Sequence, residues 1–396
     1  MKDDKKLELL LERFYNRFNQ YNTKVLEKIG EAIKKFDGVS PTVAHQIAQE
    51  LKYGTDIDEL IAELSRLSGK SIKDIEEAFD LVAEENVAFA EVYAKAKNME
   101  FVNYKDNDQL KRLVKGIAGE TNATFKNLSR SRAIGFVLKD ENGKKTFKNL
   151  KDTYRDLIDE AVFNVETGVA DYQSAMRGVM KQLADSGVKI HEEKVGYPSG
   201  YNRRIDSSVR QNVLTGVRKV NITTQKIVGR QFGADGVEIS AHSPCAEDHL
   251  FLQGKQFSNA EFKKLNASLE RPIGEYNCRH FVFSIVLGVN QPSYTNKQLN
   301  KMNKESQRII EYEGQKYTAY EATQVQRKLE TAIRKEKDRQ IIARASGDKD
   351  GVGIAQKNIT TLTHKYNDFS NNAGLDTYKN RLLVSGYRRV SVEKIK

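Results

Sequence analysis

The chain has 396 residues, 39% of them apolar and 30% charged, with basic residues exceeding acidic ones by 11 and a sequence pI near 9.2. That apolar content excludes a disordered chain, two cysteines exclude a disulfide framework, and no run of about eighteen apolar residues offers a membrane span. The length suits roughly two or three domains, and the positive surplus favours a polyanionic neighbour, most simply nucleic acid held without base reading.

The opening "MKDDKK" is not followed by the apolar segment of a secretion signal, so the chain is expected to be made and kept in a cytosol. From Leu7, the apolar residues Leu11, Phe14, Phe18, Tyr21, Val25, Ile29, Ile33 and Phe36 recur every three or four positions, which predicts one long amphipathic helix ending near "FDGVSP". Ser40 and Pro41 supply the cap and first turn of a second helix. "GTDIDELIAELSRLSG" and "SIKDIEEAFDLVAEENVAFAEVYAKAKN" read as two more. Residues 1–100 are therefore expected to be helical, either a docking face for partner helices or a bundle closed on itself.

Residues 101–150 read as a mixed connector in which "DENGKK" turns between "AIGFVLK" and "TFKNL". Helical periodicity resumes in "LKDTYRDLIDEAVFNVETGVADYQSAMRGVMKQLADSG", stopped by Gly187, and in "IDSSVRQNVLTGVRKVNITTQKIVGRQFGADG". "HEEKVGYPSGYNRR" between them reads as a loop. "VEIS" and "FVFSIVLG" are short β-branched and aromatic runs bounded by turn residues, hence strands. Residues 151–290 form the expected core. Residues 291–396 hold a hairpin at "IIEYEGQKYT", a long helix from Thr318 to about Ser346 stopped by Gly347, and a shorter helix in "HKYNDFSNNAGLDTYKNRLLVSGYRRV". The expected class is α+β, predominantly α-helical. Along the long helix, Arg327, Lys328, Arg334, Lys335, Lys337, Arg339 and Arg344 alternate with Glu330, Glu336 and Asp338, a pattern that favours a solvated face over a nucleic-acid groove.

Of the six histidines and two cysteines, five (His242, Cys245, His249, Cys278 and His280) fall in the stretch 242–280, where chance would place about one. Residues two apart on a strand share a face, so Cys278 and His280 can converge while Arg279 points away. His242, Cys245 and His249 would share a helical face, but Pro244 breaks that segment, and neither C-x-x-C nor H-x(3–5)-H spacing occurs. A hydrogen-bonded polar core leads, followed by a structural metal site, with catalysis least favoured. A thiolate with its histidine base and a metal-dependent nuclease both fit poorly, since "FVFSIVLGVNQP" continues as a strand where such a nuclease needs a helix. No phosphate-binding glycine loop, HExxH or GxSxG is present, so no enzyme is expected.

Taken together, "VEISAHSPCAEDHLFLQGKQFS", "NCRHFVFSIVLGVNQPSYT" and "YEGQKYTAYEATQVQRKLETAIRKEKDRQIIARASGD" resemble the phage minor capsid protein 2 family of tailed phages and prophages of Gram-positive bacteria. The likeness extends through "GYNRRIDSSVRQNVLTGVRKV" and "KYNDFSNNAGL", about residues 150 to 385. It implies a minor structural protein inside the head near the portal vertex, of head-morphogenesis type, made in the host bacterial cytoplasm. Such a protein acts in procapsid assembly and in DNA packaging or ejection. The implied partners are the portal protein, the major capsid or scaffolding protein, and packaged DNA held non-specifically; no membrane is implied. Carried over, the family's paired histidines are His242 and His249, and its "NCRH" element is Asn277, Cys278, Arg279 and His280. Cys245 stands where the resemblance implies another residue, which argues against a site built on both cysteines. If a structural zinc is bound, His242, His249, Cys278 and His280 are the expected ligands. The rival reading is a general DNA-binding or zinc-stabilised cytosolic protein without a virion role.

Overall fold

The computed structural model describes residues 4–53, 56–96, 100–128, 133–140, 142–169, 171–194, 197–274 and 278–391. Over these the chain is α+β and predominantly α-helical, as expected. It begins with α1 (Asp4–Lys34), α2 (Pro41–Tyr53), α3 (Asp56–Ala96) and α4 (Asp108–Leu128), followed by the hairpin of β1 (Ile134–Lys139) and β2 (Lys145–Asn149). Next come α5 (Leu150–Glu166), α6 (Tyr172–Ser186), β3 (Lys189–Lys194), β4 (Tyr197–Arg204) and α7 (Ile205–Gln231). The region of the His and Cys cluster carries β5 (Gly236–Ile239), β6 (Gln256–Ser258), α8 (Asn259–Ser268) and β7 (Val282–Ile285). The chain continues with α9 (Asn296–Ser306), the hairpin β8 (Ile309–Tyr312) and β9 (Gln315–Thr318), then α10 (Ala319–Ser346) and α11 (Lys349–Ala373). No helix of the described residues is long and apolar enough to cross a membrane.

Several elements depart from expectation for identifiable reasons. The two helices expected on either side of Gly69 are one, because Ile57, Leu60, Leu64, Leu67, Ile75, Phe79 and Val82 keep a buried face in phase through the glycine. The loop expected at 191–204 is largely the antiparallel pair β3 and β4; β4 is an edge strand of the sheet β2-β1-β3-β4, and Pro198 lies in its irregular stretch between the pairings of Tyr197 and Tyr201. "HKYNDFSNNA" is the end of the long α11, stopped by left-handed Gly374, and the basic "YRRV" lies beyond it. The β8–β9 hairpin turns where expected, through Glu313 and Gly314, both at positive φ.

Two compact units interleave the sequence. One draws on residues up to 12, 71–124 and 210–325; the other on 13–70, 125–209 and 326–396. The four consecutive segments of the sequence reading are divisions of the chain and do not coincide with these units.

In the second unit the apolar stripe of α1 is core: Phe14, Phe18, Tyr21, Val25, Ile29, Ile33 and Phe36 are all buried. Phe18 packs on Phe125, and Tyr172 donates its hydroxyl to the Ile33 carbonyl at 3.0 Å. At Gly30 a Cβ would lie 2.7 Å from the Ile342 carbonyl oxygen, so only glycine lets α1 and α10 approach this closely. The stripe is thus closed inside the fold and is not a free face for partner helices. The solvated face expected on α10 is also corrected. Of its seven basic residues only Lys328 is exposed, and Glu330, Glu336 and Asp338 are buried. Arg334 donates to the Tyr15 hydroxyl at 2.7 Å, Arg344 to the Gly386 carbonyl at 2.8 Å, and Arg339 pairs with Asp185 and Glu336.

The same unit holds a buried ionic knot. Arg204, Asp206 and Asp338 are 8%, 1% and 0% exposed. Arg204 donates Nη1 to Asp338 at 2.7 Å and Nη2 to Asp206 at 3.2 Å, and Asn22 donates to the other Asp338 oxygen at 3.3 Å. Burial alone would raise Asp206, but the charges of Arg204 and Arg334 and the Arg204 hydrogen bonds outweigh it and hold its carboxyl at about 2. Burial pushes Asp338 up against the same cations.

Candidate metal centre

The cluster lies in the first unit, on a three-stranded antiparallel sheet of order β6-β5-β7. Val237 and Ile239 of β5, Val282 of β7, Leu252, Ile273 and Cys278 form one buried apolar cluster, with Ile222, Phe257 and Phe262 packed against it. Cys278 and His280 lie just before β7 and not on it, yet the expected alternation holds: both are buried while Arg279 is exposed. Arg218 of α7 fixes that segment, donating Nε to the Cys278 carbonyl at 3.2 Å and Nη2 to the Arg279 carbonyl at 2.9 Å, with its guanidinium 3.6 Å from the Phe281 ring centroid. Ser240 exchanges backbone and side-chain hydrogen bonds with Phe281, which sets the β5–β7 register beside the cluster.

The other three residues come from the β5–β6 connection. Pro244 does break any helix there, through a cis Ser243–Pro244 bond, so His242 and Cys245 lie on an irregular loop and His249 closes a single 3-10 turn, Glu247–His249. The loop is tied down by hydrogen bonds. Gln253 accepts from the His242 backbone N–H at 3.0 Å and donates to Asn303 of α9 at 2.7 Å, while Ser306 of α9 accepts from the Cys245 N–H at 3.0 Å. α9 itself starts with a Thr295–Gln298 capping box.

All five residues converge, but not on one point. His280 stands at the centre, its ring centroid 4.4 Å from that of His242 and 5.2 Å from that of His249. Its Nδ1 lies 3.4 Å from Cys278 Sγ, and its Nε2, on the opposite side of the ring, lies 3.7 Å from Cys245 Sγ. Cys278 Sγ is also 4.0 Å from His249 Nδ1. The donor atoms therefore fall into two triads that share His280: His249, Cys278 and His280, all buried, and His242, Cys245 and His280, in which His242 is partly exposed. The expected ligands His242, His249, Cys278 and His280 are thus neighbours divided between the triads, and Cys245, set aside on the resemblance, belongs to the second. Asn277 lies outside the described residues.

Hydrogen-bond roles follow from the partners. His249 Nε2 sits 2.6 Å from the Arg271 carbonyl, which can only accept, so Nε2 carries a proton and Nδ1 of neutral His249 is a bare lone pair aimed at Cys278. Arg271 is held by Asp248 at 2.7 and 3.1 Å and by the Tyr320 hydroxyl at 2.8 Å. Cys245 donates its S–H to the Ala246 carbonyl at 3.3 Å. His242 Nδ1 is buried with no hydrogen-bond partner. Two proton arrangements fit these contacts: the Cys245 thiol turns to His280 Nε2, His280 Nδ1–H donates to Cys278 and Cys278 donates to His249 Nδ1; or Cys245 stays on Ala246, His280 donates from Nε2, and one Cys278 proton faces the Nδ1 atoms of both rings.

Burial pushes the His280 imidazole down to about 2, with His242 and His249 adding to the effect, and burial with Arg279 brings His242 to about 4, so both rings are neutral. Burial with the Cys278 sulfur raises Cys245 to about 12, which keeps it a thiol. At Cys278 burial works upward but is outweighed by the His249 hydrogen bond, and the net direction is down; at His249 burial works downward but is outweighed by Cys278 and the Arg271 carbonyl, and the net direction is up.

Sequence reasoning missed the groups that orient this cluster. Arg271, Arg218, Gln253 and Ser306 act through backbone carbonyls and N–H groups distant in sequence, and nothing in their own surroundings marks them.

With this geometry in place the comparison with known families is decisive: the phage minor capsid protein 2 family matches residues 3–371. The chain belongs to that family. No curated protein and no solved structure matches it. A phage minor capsid protein is a structural component of the virion, and the match covers the sheet, its His and Cys cluster and most of both units, reaching well upstream of residue 150, where the sequence resemblance begins.

Proposed function

We propose that this minor capsid protein is internal to the head, associates with the portal, and acts in procapsid assembly, with contact to packaged DNA as a secondary property. The observation that carries the reading is the family match across residues 3–371. The net charge of +11 supports it, since a chain enclosed with a densely packed polyanion is stabilised by a positive surplus and needs no base-reading element. The apolar stripe of α1 does not support portal docking, because those side chains are core; association falls to outer surfaces of the folded chain. We read the protein as structural, with no catalytic role.

Quantitative mass spectrometry of purified procapsids and virions tests this. The expected result is this chain in both, at a small fraction of the major capsid protein and in fixed ratio to the portal protein. Absence from procapsids would overturn the assembly role. Duplex binding should be weak, indifferent to sequence and lost between low and physiological salt, as counterion release requires.

A further inference from the structure

We propose that His249, Cys278 and His280 bind one zinc ion through Nδ1, Sγ and Nδ1, with the fourth coordination position left to water or another small ligand. The inference stands on the cluster alone and does not depend on the role in the head.

Three observations carry it. The first is spacing. Zinc–sulfur and zinc–nitrogen bonds of about 2.3 and 2.0 Å in a tetrahedron place sulfur and nitrogen donors about 3.5 Å apart. Cys278 Sγ is 3.4 Å from His280 Nδ1 and 4.0 Å from His249 Nδ1, so small side-chain adjustments close the set. The second is the surrounding hydrogen bonding. Metal-bound histidines characteristically donate their other ring N–H to a carbonyl or carboxylate, which fixes the tautomer and aims the free lone pair at the metal. His249 does this at 2.6 Å to the Arg271 carbonyl, and Arg271 is itself anchored by Asp248 and Tyr320. His280 Nε2 faces Cys245 Sγ, whose own proton is committed to Ala246, so it finds an acceptor there. The third is convergence. With His280 donating from Nε2, the Nδ1 atoms of His249 and His280 both face Cys278 Sγ, and a cation that displaces the Cys278 proton turns three converging lone pairs into three bonds.

The rival triad of His242, Cys245 and His280 is weaker on each count. It needs His280 to bind through Nε2, it breaks the Cys245–Ala246 hydrogen bond, and His242 is partly exposed. Because His280 presents its two nitrogens to opposite sides, one ion does not take both triads. Zinc rather than magnesium or calcium follows from the donors, two imidazoles and a thiol with no carboxylate, a set suited to a borderline-soft ion.

The test uses the full chain purified without a histidine tag, supplied with zinc and then dialysed. Metal analysis should give about one zinc per chain; a metal-free protein overturns the proposal. X-ray absorption at the zinc edge of the same wild-type protein should fit one sulfur and two imidazole nitrogens among the donors, and two sulfurs or none would overturn the assigned set. This measurement needs no variant to fold. With cobalt in place of zinc, the thiolate-to-metal absorption band should persist in Cys245→Ser and vanish in Cys278→Ser; the reverse pattern would move the ion to the rival triad.

Discussion

Around Arg204 in one compact unit and around His280 in the other, the protein buries polar side chains to the same depth. Arg204, Asp206 and Asp338 are 8%, 1% and 0% exposed; Cys278, His249 and His280 are 8%, 5% and 2%. The two clusters differ in what their atoms still require. At Arg204 each carboxylate meets guanidinium donors, Asn22 fills a remaining acceptor, and Arg334 supplies a second positive charge to offset the second carboxylate. Around His280 the contacts are thiol to imidazole at 3.4 to 4.0 Å, and His242 Nδ1 has no partner. Burial of polar groups is therefore not itself a mark of function. A cluster closed by charged hydrogen bonds is architecture, whereas neutral nitrogen and sulfur donors converging in a rigid setting are a place for a ligand.

The largest way to break this contrast is at Arg204. Arg204→Met leaves two carboxylates buried without their shared cation, and loss of one partner from a buried ion pair costs about 3–5 kcal/mol. Chemical denaturation of the variant against wild type measures this. A loss below about 1 kcal/mol would mean that water or another cation reaches the knot and that it is not self-contained.

The acid limb sharpens the comparison further. Asp206 is held at about 2 in the folded chain, below the unfolded value of about 3.9, so its contribution to stability is complete above pH 4 and is lost as the pH falls toward 2. Asp206→Asn should cost about 2 kcal/mol at neutral pH, and the gap to wild type should close between pH 4 and pH 2. Denaturation curves across that interval decide it; a gap independent of pH would mean the loss comes from packing and not from the charge.

How much of this was legible in the sequence follows from the range of each interaction. The α1 stripe from Leu11 to Phe36, the capped start at Pro41 and the long helix expected from Thr318 to about Ser346 are local patterns, and they read correctly. Gly69 misled because a glycine is a local signal of a break, while the apolar phase from Ile57 to Val82 that overrides it extends over several turns. Pro198 and Gly200 marked β4 as loop, although an edge strand accepts both. On α10 the alternating charges suggested a wet face because their partners, Tyr15, Asp185, Gly386 and Arg204, lie far away in sequence. The density of His and Cys between 242 and 280 was visible at once. That His280 faces two different cysteines through opposite ring nitrogens, and that the Arg271 carbonyl sets the His249 tautomer, are properties of the folded backbone.

The smallest expected effect is the most discriminating. His242 packs on His280 but its Nδ1 has no partner, and the loop beneath it is held by its backbone N–H to Gln253, which any residue would keep. His242→Phe preserves a flat ring at the His280 face and removes the unsatisfied nitrogen. Replacing an unpaired buried polar atom by apolar surface is near neutral, so the change in unfolding free energy should stay within about 1 kcal/mol. Zinc content should be unchanged, because His242 is outside the triad of His249, Cys278 and His280. Melting curves and metal analysis of this one variant check both statements. If it folds yet loses its zinc, His242 is a ligand and the metal lies on the Cys245 side of the His280 ring; if it loses several kcal/mol without metal, the imidazole makes a polar contact that the balance of donors and acceptors around His280 does not include.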